Sequence, residues 1–286
     1  MIVMERQYRK VPDCEKQALR PQLENIWKKC FFDTDEGTKF VFENIYPDSR
    51  CYCCFIDDIC CASLYLIDGE IEDKNGISQR VHYLFGAATL PEYRKGGIMS
   101  SLIEYALMDS FKEGHKASVL LPANEGLYSY YGKLGYVPLY GTEIRDYELL
   151  KNHKSEKIPL IYDEKEKTDN IIKLRKTAKQ PVQVMQFPDK TVKNALGYNS
   201  IYNGFSVSGE DFYMTVQSSS KETVATEFIS EKPVEEVLNS VFSEFDDIKK
   251  ITVRVPCCSE NKFGMINVLD KSVEFSHTIY IGLTKD

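Results

Sequence analysis

The chain has 286 residues, 43% hydrophobic and 28% charged, with a formal net charge of -7. That is enough for about two domains with cores of their own, and the balance excludes a mainly disordered or fibrous chain. Acidity without a sustained Lys/Arg stripe argues against a nucleic-acid partner, whose phosphates call for cations, and favours cationic small molecules. In chain order, CEKQALRPQLENIWKKCF carries Leu19, Leu23, Ile26 and Trp27 at helical spacing, with Pro21 expected to kink or break the helix. A second helix is expected from Thr38 to Ile45. Apolar runs on either side of Asp57-Asp58 read as a β-hairpin, and a strand pair follows around EDKNGIS, where Asn75-Gly76 suits a tight turn. VHYLFGAAT reads as a strand and LPEYRKGG as a turn. SSLIEYALMDSFKEG reads as a helix with Met99, Leu102, Ile103, Ala106, Leu107 and Phe111 on one face and Gly114 as its stop. ASVLLP is a short buried strand, Glu125 to Leu134 a helix ending at Gly135, and YVPLY a further strand.

The first half is thus an α/β arrangement around one sheet. Residues 151–179 turn charge-rich, in KNHKSEK and DEKEKTD, and mark a boundary near 150. Beyond it, a helix is expected in FPDKTVKNALGYNSIYNG and strands in FSVSGEDFYMTVQ, TVATEFIS and KKITVRVP. PVEEVLNSVFSEF sets Val234, Val237, Leu238, Val241, Phe242 and Phe245 at helical spacing behind Pro233 and two glutamates. Two domains are expected, 1–150 and a smaller α/β unit over 151–286.

The longest uncharged apolar run, Val81 to Pro91, falls short of the roughly 20 residues of a membrane span. MIVMERQYRK offers no signal-peptide core, so a cytoplasmic location is expected. Five of the nine cysteines, Cys51, Cys53, Cys54, Cys60 and Cys61, crowd into the first hairpin. Zinc ligands usually come as C-x2-C pairs separated by a longer loop, whereas these read as small buried hydrophobes. An odd count argues against a disulfide framework. No metal is expected.

YRKGGIMSSL is the most informative stretch. A strand ends at Thr89, a turn holds Arg94, Gly96 and Gly97, and a long helix begins. Helix-start amides lack intrahelical acceptors and carry partial positive charge, so this is anion-binding geometry. Neither G-K-[ST] nor G-x-G-x-x-G is present, which disfavours a nucleotide P-loop and a dinucleotide site.

Arg94-Lys95-Gly96-Gly97-Ile98-Met99 resembles the R-x-x-G-x-G/A turn of the GNAT superfamily of acyl-coenzyme A dependent N-acyltransferases, with Met99 in place of the usual Gly or Ala. PANEGLYSYYGKLGY resembles the family's segment after its fifth strand. The likeness spans about residues 1–145 and is strongest over 82–140; within the superfamily it points to the Eis-like branch and its shorter bacterial relatives. The resemblance implies a GNAT-like mixed sheet flanked by helices, with the amides of Lys95, Gly96, Gly97, Ile98, Met99 and Ser100 on the pyrophosphate of acetyl-coenzyme A. It implies Ala87, Ala88 and Thr89 beside the pantetheine arm, Asn124 on the cofactor, and Tyr131 as the acid for the departing thiolate. Tyr83 stands where many relatives carry a glutamate base and is expected to line the acceptor pocket, while strand alternation gives His82 a structural role. For the second domain, the likeness implies a degenerate GNAT-like or sterol-carrier-like lid on the acceptor site, with Asp286 as a candidate base.

The function expected is acetyl transfer from acetyl-coenzyme A to an amine on a small molecule, an exposed lysine or an N-terminus, with no nucleic-acid or membrane partner and a homo-oligomer left open. The alternative is a non-catalytic acyl-coenzyme A binding or sensing protein. A third class, a metal- or redox-responsive protein, would rest on the cysteine cluster.

Overall fold

The structure, a computed structural model, describes residues 5–148, 158–219, 222–242 and 248–283. Strand β1 (Arg6–Lys10) leads into helix α1 (Asp13–Phe31), which runs through Pro21 without a break. Leu19, Leu23, Ile26 and Trp27 form its buried face. Burial of four large side chains at about 1.5–3 kcal/mol each outweighs the roughly 3 kcal/mol cost of an interior proline. The helix stops at Phe32, whose left-handed φ of 52° turns its N–H back to the Lys28 carbonyl. Helix α2 (Asp35–Phe40) is capped by the Thr34 hydroxyl and runs on as a wider turn over Val41–Ile45. Strands β2 (Arg50–Ile56) and β3 (Ile59–Glu72) join through Asp57 and Asp58, both at positive φ, the backbone that a two-residue hairpin requires. There follow β4 (Ser78–Thr89), α3 (Ile98–Lys112), β5 (Ala117–Leu120), α4 (Glu125–Gly132) and β6 (Val137–Pro138).

The remaining elements are β7 (Thr142–Glu148), α5 (Glu164–Thr177), β8 (Gln183–Val184), α6 (Asp189–Ile201), β9 (Phe205–Ser208), β10 (Phe212–Ser218), β11 (Thr223–Ser230), α7 (Val234–Phe242), β12 (Lys250–Pro256), β13 (Met265–Val268) and β14 (Ile279–Tyr280). They divide with the first set into two units, one made of residues 1–137 with 265–275 and the other of 138–264 with 276–286.

In the first unit the strand order is β1-β2-β3-β4-β5-β13-β6. The β4–β5 pair is parallel, whereas β1–β2, β2–β3, β3–β4 and β13–β5 are antiparallel. One sheet face packs Tyr52, Cys54, Leu64, Leu66 and Leu84 against Ile98, Leu102, Ile103, Ala106 and Leu107 of α3. Ser110 is turned inward on that helix, accepting a hydrogen bond from Arg50, while Phe111, expected in the core, is 49% exposed. On the other face, Tyr65 meets the rings of Trp27, Phe42 and Tyr46. The five hairpin cysteines are free and buried. Among the described residues, no group of three or more His, Cys, Asp and Glu is placed to hold a metal ion.

The second unit has a sheet of order β7-β12-β11-β10-β9, with α7 packing Val237, Leu238, Val241 and Phe242 against Phe212, Met214, Val216, Ile251 and Val253. Phe245 lies outside the described residues. The charge-rich run near 164 is not a linker but the first turns of α5, capped by Asp163 and buried through Ile171, Ile172, Leu174 and Arg175. Arg175 pairs with Glu227, and both side chains are buried.

Candidate active site

The turn between β4 and α3 is built by two left-handed residues, Lys95 at φ 67° and Gly97 at φ 75°. Gly97 is the N-cap of α3, and the first backbone bond that returns to the turn runs from the Ser101 amide to the Gly97 carbonyl at 3.1 Å. Among the described residues, the amides of Lys95, Gly96, Gly97, Ile98, Met99 and Ser100 meet no acceptor. A Cβ placed on Gly97 would have no heavy atom within 4 Å, so the turn is open at that point. A row of unsatisfied N–H groups at the positive end of a helix is suited to a phosphate. Arg94 folds back to donate from Nε to the Thr89 carbonyl at 3.0 Å, and Arg6 reaches the turn from β1 to donate to the Gly96 carbonyl at 2.7 Å.

Beside this cradle, β4 changes register. Ser63 stands opposite Ala88 and Tyr65 opposite Phe85, so Gly86 and Ala87 together face Leu64 in a bulge. Gly86 sits at φ 60°, and a Cβ there would stand 2.6 Å from Trp27 Cζ3 and 2.9 Å from Tyr65 Cδ2. The parallel pairing of β4 with β5 covers Val81, His82 and Tyr83 only. From Leu84 to Thr89, the edge of β4 that faces β5 therefore has no strand partner among the described residues. Bulges often re-aim a strand next to a site. Ala88 is buried, while Ala87 packs against the α3-side core.

Helix α4 starts at Asn124, whose Oδ1 accepts from the Leu127 amide at 3.2 Å. Its oxygen therefore serves as the cap and leaves the side-chain NH2 as the group for a ligand. Tyr131 is 9% exposed and belongs to the same packed cluster as Ile98, with Met99 and Ala87 against it. Its ring makes edge contacts with Tyr130 at 5.1 Å and Tyr136 at 5.7 Å. Burial, with a smaller contribution from Tyr130, pushes its pKa up to about 12, so the phenol keeps its proton at neutral pH. Tyr130 in turn shares a 3.1 Å hydrogen bond with the Ser100 hydroxyl, tying α4 to the first turn of α3.

Tyr83 is half-buried on β4, opposite Ile67 on one side and Val119 on the other. His82 is fully buried and stacks edge-on against His115 at 5.4 Å. Burial first, and then the charge of Arg50, lower its pKa well below the usual value, which keeps the ring neutral. Asp286 lies outside the described residues. The Gly86 bulge, the Tyr130–Ser100 link and Arg6 were not singled out from sequence. A lone glycine inside a strand pattern signals a bulge or a close backbone approach, and that sign was available for Gly86.

Residues 15–139 match the family model described as acetyltransferase (GNAT) domain. A search among curated proteins finds no match for the chain. Among solved structures, a probable N-acyltransferase from Enterococcus faecalis V583 aligns with a TM-score of 0.74 at 13% identity, covering 93% of this chain and 73% of that one. Eis1 from Mycobacterium abscessus aligns at 0.67 and 11% identity, over 93% of this chain and 74% of its own. A putative acetyltransferase from Pyrococcus horikoshii aligns at 0.58 and 12% identity, over 99% and 95%. At such identities the likeness is one of fold, and it bears out the mixed α/β, GNAT-like architecture.

Proposed function

We propose that the chain, whose residues 15–139 match the family model described as acetyltransferase (GNAT) domain, moves acetyl from acetyl-coenzyme A to a primary amine by direct attack. The observation that carries this reading is the run of amides from Lys95 to Ser100 with no acceptor among the described residues, at the positive end of α3. In this reading, the amides take the pyrophosphate and the Asn124 side-chain NH2 donates to the cofactor. The pantetheine arm lies along Ala87, Ala88 and Thr89, where the open edge of β4 supplies backbone donors and acceptors.

The neutral amine adds to the thioester carbonyl, and the tetrahedral intermediate collapses with cleavage of the carbon–sulfur bond. Tyr131 gives its proton to the departing thiolate, and the amine nitrogen loses its own proton to solvent, from which the phenolate is reprotonated. Free coenzyme A and an amide result. A phenol with a pKa near 12 is the right state for an acid at neutral pH. Tyr83, half-buried on β4, lines the acceptor side.

The test is a screen of small amines, lysine peptides and free N-termini with acetyl-coenzyme A, reading thiol release alongside the acetylated product by mass spectrometry. Amine-dependent release supports the reading. Tight coenzyme A binding with no release for any amine class would instead make the chain a non-catalytic acyl-coenzyme A binder.

A further inference from the structure

Building on the coenzyme A reading above, we propose that Arg6 forms a second wall of the cradle and sets its guanidinium against a phosphate of the bound coenzyme. Arg6 lies on β1, far from the turn in sequence, yet its Nη1 donates to the Gly96 carbonyl at 2.7 Å. A Cβ built on Gly96 would come within 3.0 Å of Arg6 Nη2. Gly96 is not among the positive-φ residues, so glycine here answers to clearance for the arginine rather than to backbone conformation.

The charge balance of the first unit points the same way. Arg9 meets Glu15 at 2.7 Å, Arg20 meets Glu24 at 2.6 Å, Arg50 meets Asp68 at 2.9 Å and Arg80 meets Asp68 at 3.9 Å. Only Arg6 and Arg94 of that unit have no carboxylate among the described residues. Both donate to carbonyls that bracket the open amides, Gly96 for Arg6 and Thr89 for Arg94. In a chain of net charge -7, the unneutralised guanidiniums converge on one turn. Arg6 spends one N–H on the turn, and the rest of its planar fork is available to phosphate oxygens, which guanidinium binds by paired, charge-assisted hydrogen bonds. The shared chemistry is a phosphate of coenzyme A, either the pyrophosphate or the 3′-phosphate of the ribose.

The experiment is calorimetric titration of the full chain with coenzyme A and with 3′-dephospho-coenzyme A, for wild type, Arg6→Ala, Arg6→Lys and the remote control Arg80→Ala. Thermal melts check that each variant is folded. Arg6→Ala should weaken coenzyme A binding roughly tenfold or more, because a hydrogen bond to a charged partner is lost. Arg6→Lys should recover part of the loss, and Arg80→Ala should bind as wild type. A deficit that persists with the dephospho form assigns Arg6 to the pyrophosphate; one that vanishes assigns it to the 3′-phosphate. In turnover, the KM for acetyl-coenzyme A should rise with kcat unchanged. Wild-type affinity in folded Arg6→Ala overturns the proposal while leaving the cofactor reading intact. Failure of the wild-type chain to bind coenzyme A overturns both.

Discussion

Replacing Gly86 with alanine tests whether the β4 bulge is as tightly constrained as its surroundings indicate. Two costs add at this position. Alanine held at φ 60° loses roughly 1–2 kcal/mol to the contact of Cβ with its own carbonyl. The new methyl also enters 2.6 Å from Trp27 Cζ3 and 2.9 Å from Tyr65 Cδ2, and both rings are buried, at 4% and 2% exposure. Neither can swing aside into solvent, so overpacking adds about 1–3 kcal/mol. The total is about 2–5 kcal/mol. Gly97→Ala provides the comparison, since φ is 75° but the space around a Cβ is empty, leaving only the first cost. Trp27 is the chain's single tryptophan, and it touches the altered position, so its fluorescence in a urea titration reports on the first unit. The Gly86→Ala midpoint should fall by about 1 M or more, given typical urea slopes, and Gly97→Ala by clearly less. Equal shifts for the two variants would refute the packing argument.

Tyr131→Phe keeps the ring and its contacts but removes the proton, so turnover should drop by roughly 10² to 10⁴ with acetyl-coenzyme A affinity preserved. With the phenol pKa near 12, the wild-type rate should climb as the acceptor ammonium deprotonates and decline only toward pH 12; steady-state profiles with amines of different basicity check this. Gly97→Pro forces φ to about -65° where the turn needs a positive value, and coenzyme A binding should be lost in a protein whose circular dichroism stays native. Asp68 is pulled two ways, since burial opposes its charge while the His115 hydrogen bond and Arg50 outweigh that and lower its pKa to about 2. The folded value lies below the unfolded one, so its contribution is complete above about pH 4 and is lost as pH falls toward 2. Asp68→Asn should flatten the acid limb of stability in that range. Burial drives the Cys53 pKa well above that of an ordinary thiol, and Cys14 and Cys258 are exposed. Thiol labelling at neutral pH should therefore reach the exposed pair quickly and the hairpin cysteines only on unfolding, as mass mapping would show.

Legibility in the sequence followed how local the signal was. Asp57-Asp58 announced a hairpin because two turn-forming residues between apolar runs need no distant partner, and both adopt the left-handed backbone. Gly97 was legible for the same reason. Helix α5 was missed because its first two turns are nearly all charged, and one of its inward residues, Arg175, is polar and matched by Glu227 on strand β11. Pro21 misled in the opposite direction, since tertiary burial of the α1 face overrides the local penalty. Arg6 escaped because no pattern on β1 reveals a bond to a carbonyl ninety residues away.

The place of β13 governs the order in which this protein can be made. Its residues Met265–Val268 pair with Ala117–Leu120 of β5, although the whole stretch from 138 to 264 is threaded between them. During synthesis, β5 leaves the ribosome long before its partner exists. At about 5–20 residues per second, the 145-residue interval from Leu120 to Met265 lasts about 7–29 s. Throughout that time, a strand whose four residues are all buried in the finished sheet offers an open edge, the kind that recruits other chains. A fragment ending near residue 150 would keep that edge permanently. The sheet of the first unit is therefore completed post hoc by a strand that follows the second unit in the chain, and aggregation of truncated or stalled chains is the expected cost.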